Sequence, residues 1–423
     1  MTIPTPAHVF PGAMDLSRFT PADSPRRGNQ WETALLLALA TVLALAIGLL
    51  THVSAPVAPA RVQVLNDFMA GRSIAYTPYS VGYFEFAGIA MRTFPRYGLA
   101  LVQGTLYVLT VLFSYWTLLR MGARGRAPLI GTILVALYPN LLFSINRFQD
   151  TGISCFFLSV FAWLVMRLRD SGFSVANATI SGLLFGFMLT VRTNALTLAP
   201  AALWAAFAGR RFVARELVPL TASFAIAVGI MAVVIVPAKG RFVVFDRYYS
   251  AYSFLNGTHE HALEGTLRDY NGEMTMPQSL RELGLPSPGL TRSDDVLAGE
   301  YMNAGYRFIR EHPWRYASLE LFKFANLFRP DYRNAEGSSV PPLVGKAMHT
   351  AIAAIFFVWL LLRILSRRVF RIADGFLMIP ILSLYFLPFI ATSTDPRYRI
   401  PVDALLLLEC VYCLDLLRTG DPS

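Results

Sequence analysis

The chain is short of charge: Asp, Glu, Lys and Arg make up only 15% of its 423 residues, where a soluble domain carries about a quarter. With 55% hydrophobic residues and a mean hydropathy of +0.48, that shortage excludes an ordinary soluble globule and implies a polytopic membrane protein. Cysteine is nearly absent, at 3 residues, and a small odd number excludes a disulfide framework. Cys155 falls in one apolar run and the pair Cys410-x-x-Cys413 in another. A helix buried in lipid is a poor place for a redox pair, so packing is the expected role of all three. Acids are scarcer than bases, with Asp+Glu 27 against Lys+Arg 37 and a net charge of +10. In a membrane chain this excess reads as cytoplasmic loop bias rather than as a nucleic-acid surface, and no nucleic-acid partner is expected. Internal repeats and low-complexity tracts are lacking, as is the short basic start of a cleavable leader. Residues 1–30, with Pro4, Pro6, Pro11 and Pro21, read instead as a disordered cytoplasmic tail ending near Arg26-Arg27.

What is present is a series of apolar runs, some near the ~20 residues a helix needs to cross the hydrocarbon and several shorter. They lie at Thr33–Val53, Leu99–Leu119, Leu129–Phe143, Gly152–Met166, Ala178–Thr190, Leu196–Phe207, Val218–Ile235, Ala351–Leu365, Ala373–Ile390 and Val402–Leu417. The expected fold class is therefore an all-α polytopic membrane protein with about ten transmembrane helices. With the N-terminus inside, the inner segments carry Arg26/Arg27, Arg120/Arg124/Arg126, Arg167/Arg169, Arg210/Arg211/Arg215, Arg363/Arg367/Arg368/Arg371 and Arg418. Every short inner loop is then arginine-rich, as the positive-inside rule requires, and both termini are cytoplasmic. The chain divides into the tail 1–30, a membrane module 31–237 with a first outer loop 54–97, a large outer loop 238–346, and the C-terminal membrane helices 347–423. Val62–Ala70 and Val81–Thr93 are read as interfacial helices of the first outer loop, and Asp295–Glu311 as an amphipathic helix of the large one.

This topology sends acids and arginines from separate segments to one face. Asp67 and Glu85 stand in the first outer loop, Arg147 and Asp150 in NRFQDTG, and Arg192 in TVRTNAL. His259, Glu260 and His261 stand in NGTHEHALEG, and Asp395, Arg397 and Arg399 in DPRYRIP. Charges at a membrane boundary are expensive and usually functional. Transfer of a group carried on a lipid phosphate fits this set. The arginine fork binds phosphate oxygens in pairs, which points to Arg192, Arg397 and Arg399. A carboxylate within hydrogen-bonding reach takes the proton of an attacking hydroxyl, with Asp67 first, then Glu85 and Asp150. Tyr83 and the neighbouring aromatics suit a sugar or a headgroup, and equally an aromatic belt at the membrane surface. Each residue also has a plainer reading. Asp67 suits the polar face of an interfacial helix, Glu85 an ion pair with Arg92 or Arg96, and Arg192 contact with lipid headgroups. Asp150 suits the first turn of the helix that follows it. His259-Glu260-His261 lacks the i, i+4 spacing of a zinc pair, so it is read as a substrate contact or a solvated turn.

Four segments, in order, resemble the GT-C superfamily of membrane glycosyltransferases, in the group of the bacterial protein O-mannosyltransferases and aminoarabinose transferases. They are TPYSVGYFEFAGIAMRTFP, ALYPNLLFSINRFQDTG, GLLFGFMLTVRTNALTLAP and DPRYRIPVDALLLL, with YRFIREHPWRYASLELFKFANLF similar to a helix that precedes the last spans. The resemblance implies an inverting enzyme that moves a sugar from a polyprenyl phosphate to an envelope glycan, lipid or protein, on the periplasmic face of a bacterial inner membrane. It implies donor-phosphate contacts from Arg192, Arg397 and Arg399, with Arg147 beside them, and an acid at Asp150. The first-loop acid of the family, counted back from Gly71, falls at Ala60-Arg61, where no acid stands; Asp67 and Glu85 are the acids at hand. No cofactor is required by this reading. Carboxylates beside a phosphate are compatible with a divalent metal, but no dedicated ligand set is visible. The alternatives are a flippase or transporter of a lipid-linked saccharide, and a catalytically inactive relative acting as a partner subunit.

Overall fold

The structure is a computed structural model; it describes residues 29–50, 66–67, 70, 81–94, 97–146, 150–171, 174–192, 195, 198, 214–239, 247–259, 262, 280–281, 283–286, 294–327, 342–365 and 399–419. Among the described residues every regular element is a helix, which agrees with the all-α expectation. In chain order these are α1 (Gln30–Leu50), α2 (Val81–Thr93), α3 (Gly98–Met121), α4 (Ala127–Ala136), α5 (Pro139–Leu142), α6 (Thr151–Ser171) and α7 (Val175–Val191). Then follow α8 (Ala214–Lys239), α9 (Arg247–Gly257), α10 (Asp294–Glu311), α11 (Pro313–Leu327), α12 (Pro342–Leu365) and α13 (Ile400–Thr419). The expected interfacial helix at Val81–Thr93 and the amphipathic helix at Asp295–Glu311 stand as α2 and α10. The runs Leu196–Phe207 and Ala373–Ile390 lie outside the described residues, apart from Leu198.

Among the described residues α1 and α3 are long and apolar enough to cross a membrane, and α4 with the segment that follows adds a third if that bent pair counts as one span. α6, α7, α8 and α12 contain shorter apolar stretches. The sequence reads Leu129–Phe143 as one straight run, but the structure bends by 54° between Ala136 and Pro139. The reason is local. Proline has no N–H and forces the residue before it out of the helical region, and Tyr138 is extended (φ −66°, ψ 105°). The helix thus loses a backbone donor at the break. The Tyr107 hydroxyl supplies one from α3, donating to the Ala136 carbonyl at 2.6 Å. α3 ends where Gly122 takes a left-handed conformation (φ 90°) that glycine adopts without strain, and its N–H closes the last turn.

α13 is buried on nearly every side and sits at the centre of the main core, which also takes residues from α1, α3, α4, α6 and α12. The buried surface of α13 is mostly Leu, Val and Ala, and two of the acids it also buries, Asp403 and Asp415, are met by hydrogen-bond donors. α1, by contrast, leaves Leu35, Val42, Leu45 and Leu49 exposed, as a lipid-facing helix does. Polar contacts pin the ends of the core helices. Tyr115 of α3 donates to Glu32 in the first turn of α1, and the Arg124 amide donates to Asp415 of α13 at 2.6 Å.

α7 and α8 pack closely together, and the contact rests on Gly182-x-x-x-Gly186. Small residues four apart let two backbones approach in lipid, where no hydrophobic force draws helices together. A Cβ at Gly186 would lie 2.6 Å from the Ala227 Cβ and 2.9 Å from the Phe224 carbonyl. One at Gly182 would overlap Ser223 and the Leu220 carbonyl. Gly182→Val is expected to separate the pair and cost about 1–3 kcal/mol, the usual penalty of overpacking, read as an earlier melting transition in detergent.

Candidate functional site

Asp150 and Arg192 are 42 positions apart in sequence and meet in a two-point ion pair. Arg192 donates from Nε to Oδ2 at 2.6 Å and from Nη2 to Oδ1 at 3.0 Å. Each stands at a helix end that suits its charge. Asp150 precedes α6, and its carbonyl accepts the Ser154 N–H at 3.0 Å, so its charge stands at the positive end of a helix. Arg192 is the extended residue (φ −145°, ψ 113°) that closes α7, so the guanidinium stands at a helix C-terminus. Asp150 therefore fills the cap position and orients Arg192 as well. Two of the five donors a guanidinium carries are used in this way, which fixes the plane of the fork.

Arg192 borders a narrow crevice whose other walls are Ser154, Phe157, Leu158, Met188, Val191, Ala195 and Leu198. Its interior holds about 20 Å³, and all but two of its lining residues are apolar. Tyr83 reaches the same end of the molecule: it is fully buried with Ala87 against Ile153 and Val191, each beside one member of the ion pair. This contact depends on Gly82, where a Cβ would lie 2.7 Å from the Thr190 carbonyl.

Arg399 belongs to a second pair. It donates from Nε to Asp403 Oδ1 at 2.9 Å, one turn along α13, and both side chains are fully buried. The other Asp403 oxygen accepts from the Tyr138 hydroxyl at 2.7 Å, and Asn140 donates to that hydroxyl at 3.1 Å. The network ties the start of α13 to the bend between α4 and α5. Residues next to the two ion pairs, Cys155 and Ala195 for one and Ile400 and Val402 for the other, belong to one buried core. Asp403, Tyr138 and Asn140 were not singled out from sequence. The signal for Asp403 was an i, i+4 Arg/Asp pair inside an apolar run, where an acid survives only if partnered.

His259 lies away from these pairs along the chain, after α9. It is buried and lines a crevice of about 360 Å³ with Glu300, Asn303, Arg307, Glu311 and His312 of the α10 region. α9 and α10 are joined through Tyr248, Tyr252 and Tyr301, and the Tyr301 hydroxyl donates to the Pro286 carbonyl at 2.7 Å. α11 closes onto them by one buried cation. Lys323 donates to the Gly257 carbonyl at 3.0 Å and pairs with Glu320 at 2.6 Å.

Burial pushes the Glu320 carboxyl up and the Lys323 ammonium down, each partly restored by the other. Burial, with the Glu320 charge adding, also pushes Tyr316 up to about 12. For Glu320 the stability contribution is full below the ordinary glutamate range and lost as pH rises through its raised value. For Lys323 it is full above the ordinary lysine range and lost as pH falls through its lowered value. The two groups thus contribute least in between, where both are charged. Lys323→Met alone leaves a half-buried carboxylate and is expected to destabilise α11 by about 3 kcal/mol, read as faster amide exchange over 313–327. Adding Glu320→Gln is expected to restore most of that loss.

Of the remaining expected site residues, Asp67 lies half-buried in a helical turn with Asn66. Glu85 is on α2, with its side chain outside the described residues, as are Arg147, Glu260 and Arg397 entirely. Among the described residues no group of three or more His, Cys, Asp or Glu is arranged to hold a metal ion.

No family model matches the chain, and comparison with curated proteins and with solved structures finds no match. The functional reading therefore rests on residues and geometry.

Proposed function

We propose that the chain is a membrane glycosyltransferase of GT-C type, moving a sugar with inversion from a polyprenyl-phosphate donor to an envelope glycan, lipid or protein. It works in a bacterial inner membrane with about ten spans and its site on the periplasmic face. The observation that carries the reading is the Arg192 fork, held in plane by Asp150 at the rim of an apolar crevice. A lipid phosphate offers oxygens for the fork, and its chain would run along the apolar helix surfaces outside the crevice, whose 20 Å³ holds about one water. In this reading Arg192 stabilises charge on the leaving phosphate, with Arg397 and Arg147 as further cations. Asp67 or Glu85 takes the acceptor hydroxyl's proton. Asp150 is kept as the residue that orients Arg192, because its carboxylate is already engaged. Arg399, buried against Asp403, is assigned to holding α13. The crevice beside His259 is the acceptor-side candidate.

The test is mass spectrometry of envelope lipids and glycans in a deletion strain, and in the same strain carrying the wild-type gene or an Asp67→Asn, Glu85→Gln double variant at equal level. Loss of one sugar mass, restored by wild type and not by the variant, is the expected result. Full restoration by the variant contradicts the mechanism. A lipid-linked intermediate retained on the inner face replaces the transferase with the flippase.

A further inference from the structure

α11 is built inside out. Its inward face carries Tyr316, Leu319, Glu320 and Lys323, so the one buried ion pair of this helix points at protein. Its outward face carries Trp314, Leu321 and Phe324, at 86%, 72% and 42% exposure. These three stand at i, i+7 and i+10, within one helical stripe, and Ala317 and Ala325 extend it. The helix cannot roll to hide the stripe. Lys323 is anchored to the Gly257 carbonyl, and Leu319 packs with Ala262, Phe308 and Tyr316. The apolar face is therefore presented at a fixed angle.

We propose that this face is seated on the membrane surface, with α11 lying in the interface of an anionic bilayer. Three features favour lipid over protein as the occupant. The helix is 15 residues long, with its charged pair Glu320 and Lys323 turned inward and Arg315 and Ser318 exposed beside the apolar stripe, so it is too short to span but fits an interfacial position. Trp314, at its first turn, is the residue type that prefers the boundary between headgroup and chain. Arg307 and Arg310, exposed on the helix just before it, supply cations that anionic headgroups attract. The same chain carries α1 and α3, each long and apolar enough to cross a membrane, which would bring a bilayer to the molecule. The inference is independent of the transferase reading. It gives α11 the task of fixing the α9–α10 unit at a set height above the lipid.

The test uses the full chain with Cys155, Cys410 and Cys413 replaced by alanine and one spin label at Leu321→Cys or Phe324→Cys. The protein is reconstituted in vesicles of phosphatidylethanolamine and phosphatidylglycerol, with Leu45→Cys on α1 as the lipid-facing reference. Oxygen, which concentrates in lipid, is expected to collide with both labels more often than a water-soluble nickel chelate does. Dominance of the chelate would place the face in water and overturn the proposal. Protection from both reagents would mean a second copy or a partner protein covers it, and would overturn it equally. If the cysteine-free protein fails to fold, the native chain is compared with Trp314→Phe in vesicles containing brominated lipid. A smaller quenchable tryptophan signal in the variant is expected, and an unchanged one contradicts the seating.

Discussion

Replacing Asp403 by leucine is expected to lower the stability of the membrane core by about 3–5 kcal/mol, the cost of leaving a buried cation without its partner. Arg399 is fully buried and held by Asp403 one turn away. Without the carboxylate its charge is left deep in the protein, and the Tyr138 hydroxyl loses its acceptor as well. The effect reaches beyond α13, because Tyr138 stands at the break between α4 and α5, which relies on its side chain to tie it to the last helix. A double variant, Arg399→Met with Asp403→Leu, removes both charges. It is expected to recover most of the loss, since paired apolar replacements of buried ion pairs are neutral or better. The readout is thermal unfolding in detergent, followed for the wild type, both single variants and the double one. Equal destabilisation by the double and single variants would mean that the polar network itself, not charge compensation, holds α13.

Arg192→Lys is expected to abolish most transfer while the fold survives. A lysine keeps the charge but presents no planar fork, so both the two-point bond to Asp150 and paired contact with phosphate oxygens are lost. If a paired contact to a buried charge is worth about 3–4 kcal/mol, the rate falls by roughly 10²–10³-fold. Asp150→Asn should be milder. It keeps an acceptor for the guanidinium and loses the charge, so Arg192 is less well oriented but still present. A rate loss in Arg192→Lys with an unchanged melting point separates a role in the reaction from a role in packing. A parallel loss of both would reduce the pair to a brace between α6 and α7.

How far the sequence reached can be seen residue by residue. Helix positions were legible where hydrophobic runs or a clear polar face marked them: the boundaries of α2 and α10 fall within a residue of those read from pattern alone. The single straight run over Leu129–Phe143 was not, because hydropathy is blind to Pro139 and counts both arms of the bend as one apolar stretch. The charged residues were legible as a set but not as pairs. Asp150 and Arg192 look like separate donors in sequence, and only folding brings α6 and α7 together so that one orients the other. In sequence Arg399 groups with the other arginines of DPRYRIP as a phosphate contact. The partner that engages it, Asp403, stood one turn further on, in plain i, i+4 spacing. The glycine pair of α7 was part of a motif before its mechanical purpose, close approach to α8, could be seen.

The central claim is that the Arg192 site holds a lipid phosphate. Native mass spectrometry of the purified protein with polyprenyl monophosphate, against polyprenol of the same length, tests it directly. The account expects the wild type to retain the phosphate and not the alcohol, and Arg192→Gln to lose that preference. Equal retention of phosphate and alcohol by the wild type, or an undiminished preference in the variant, would contradict it.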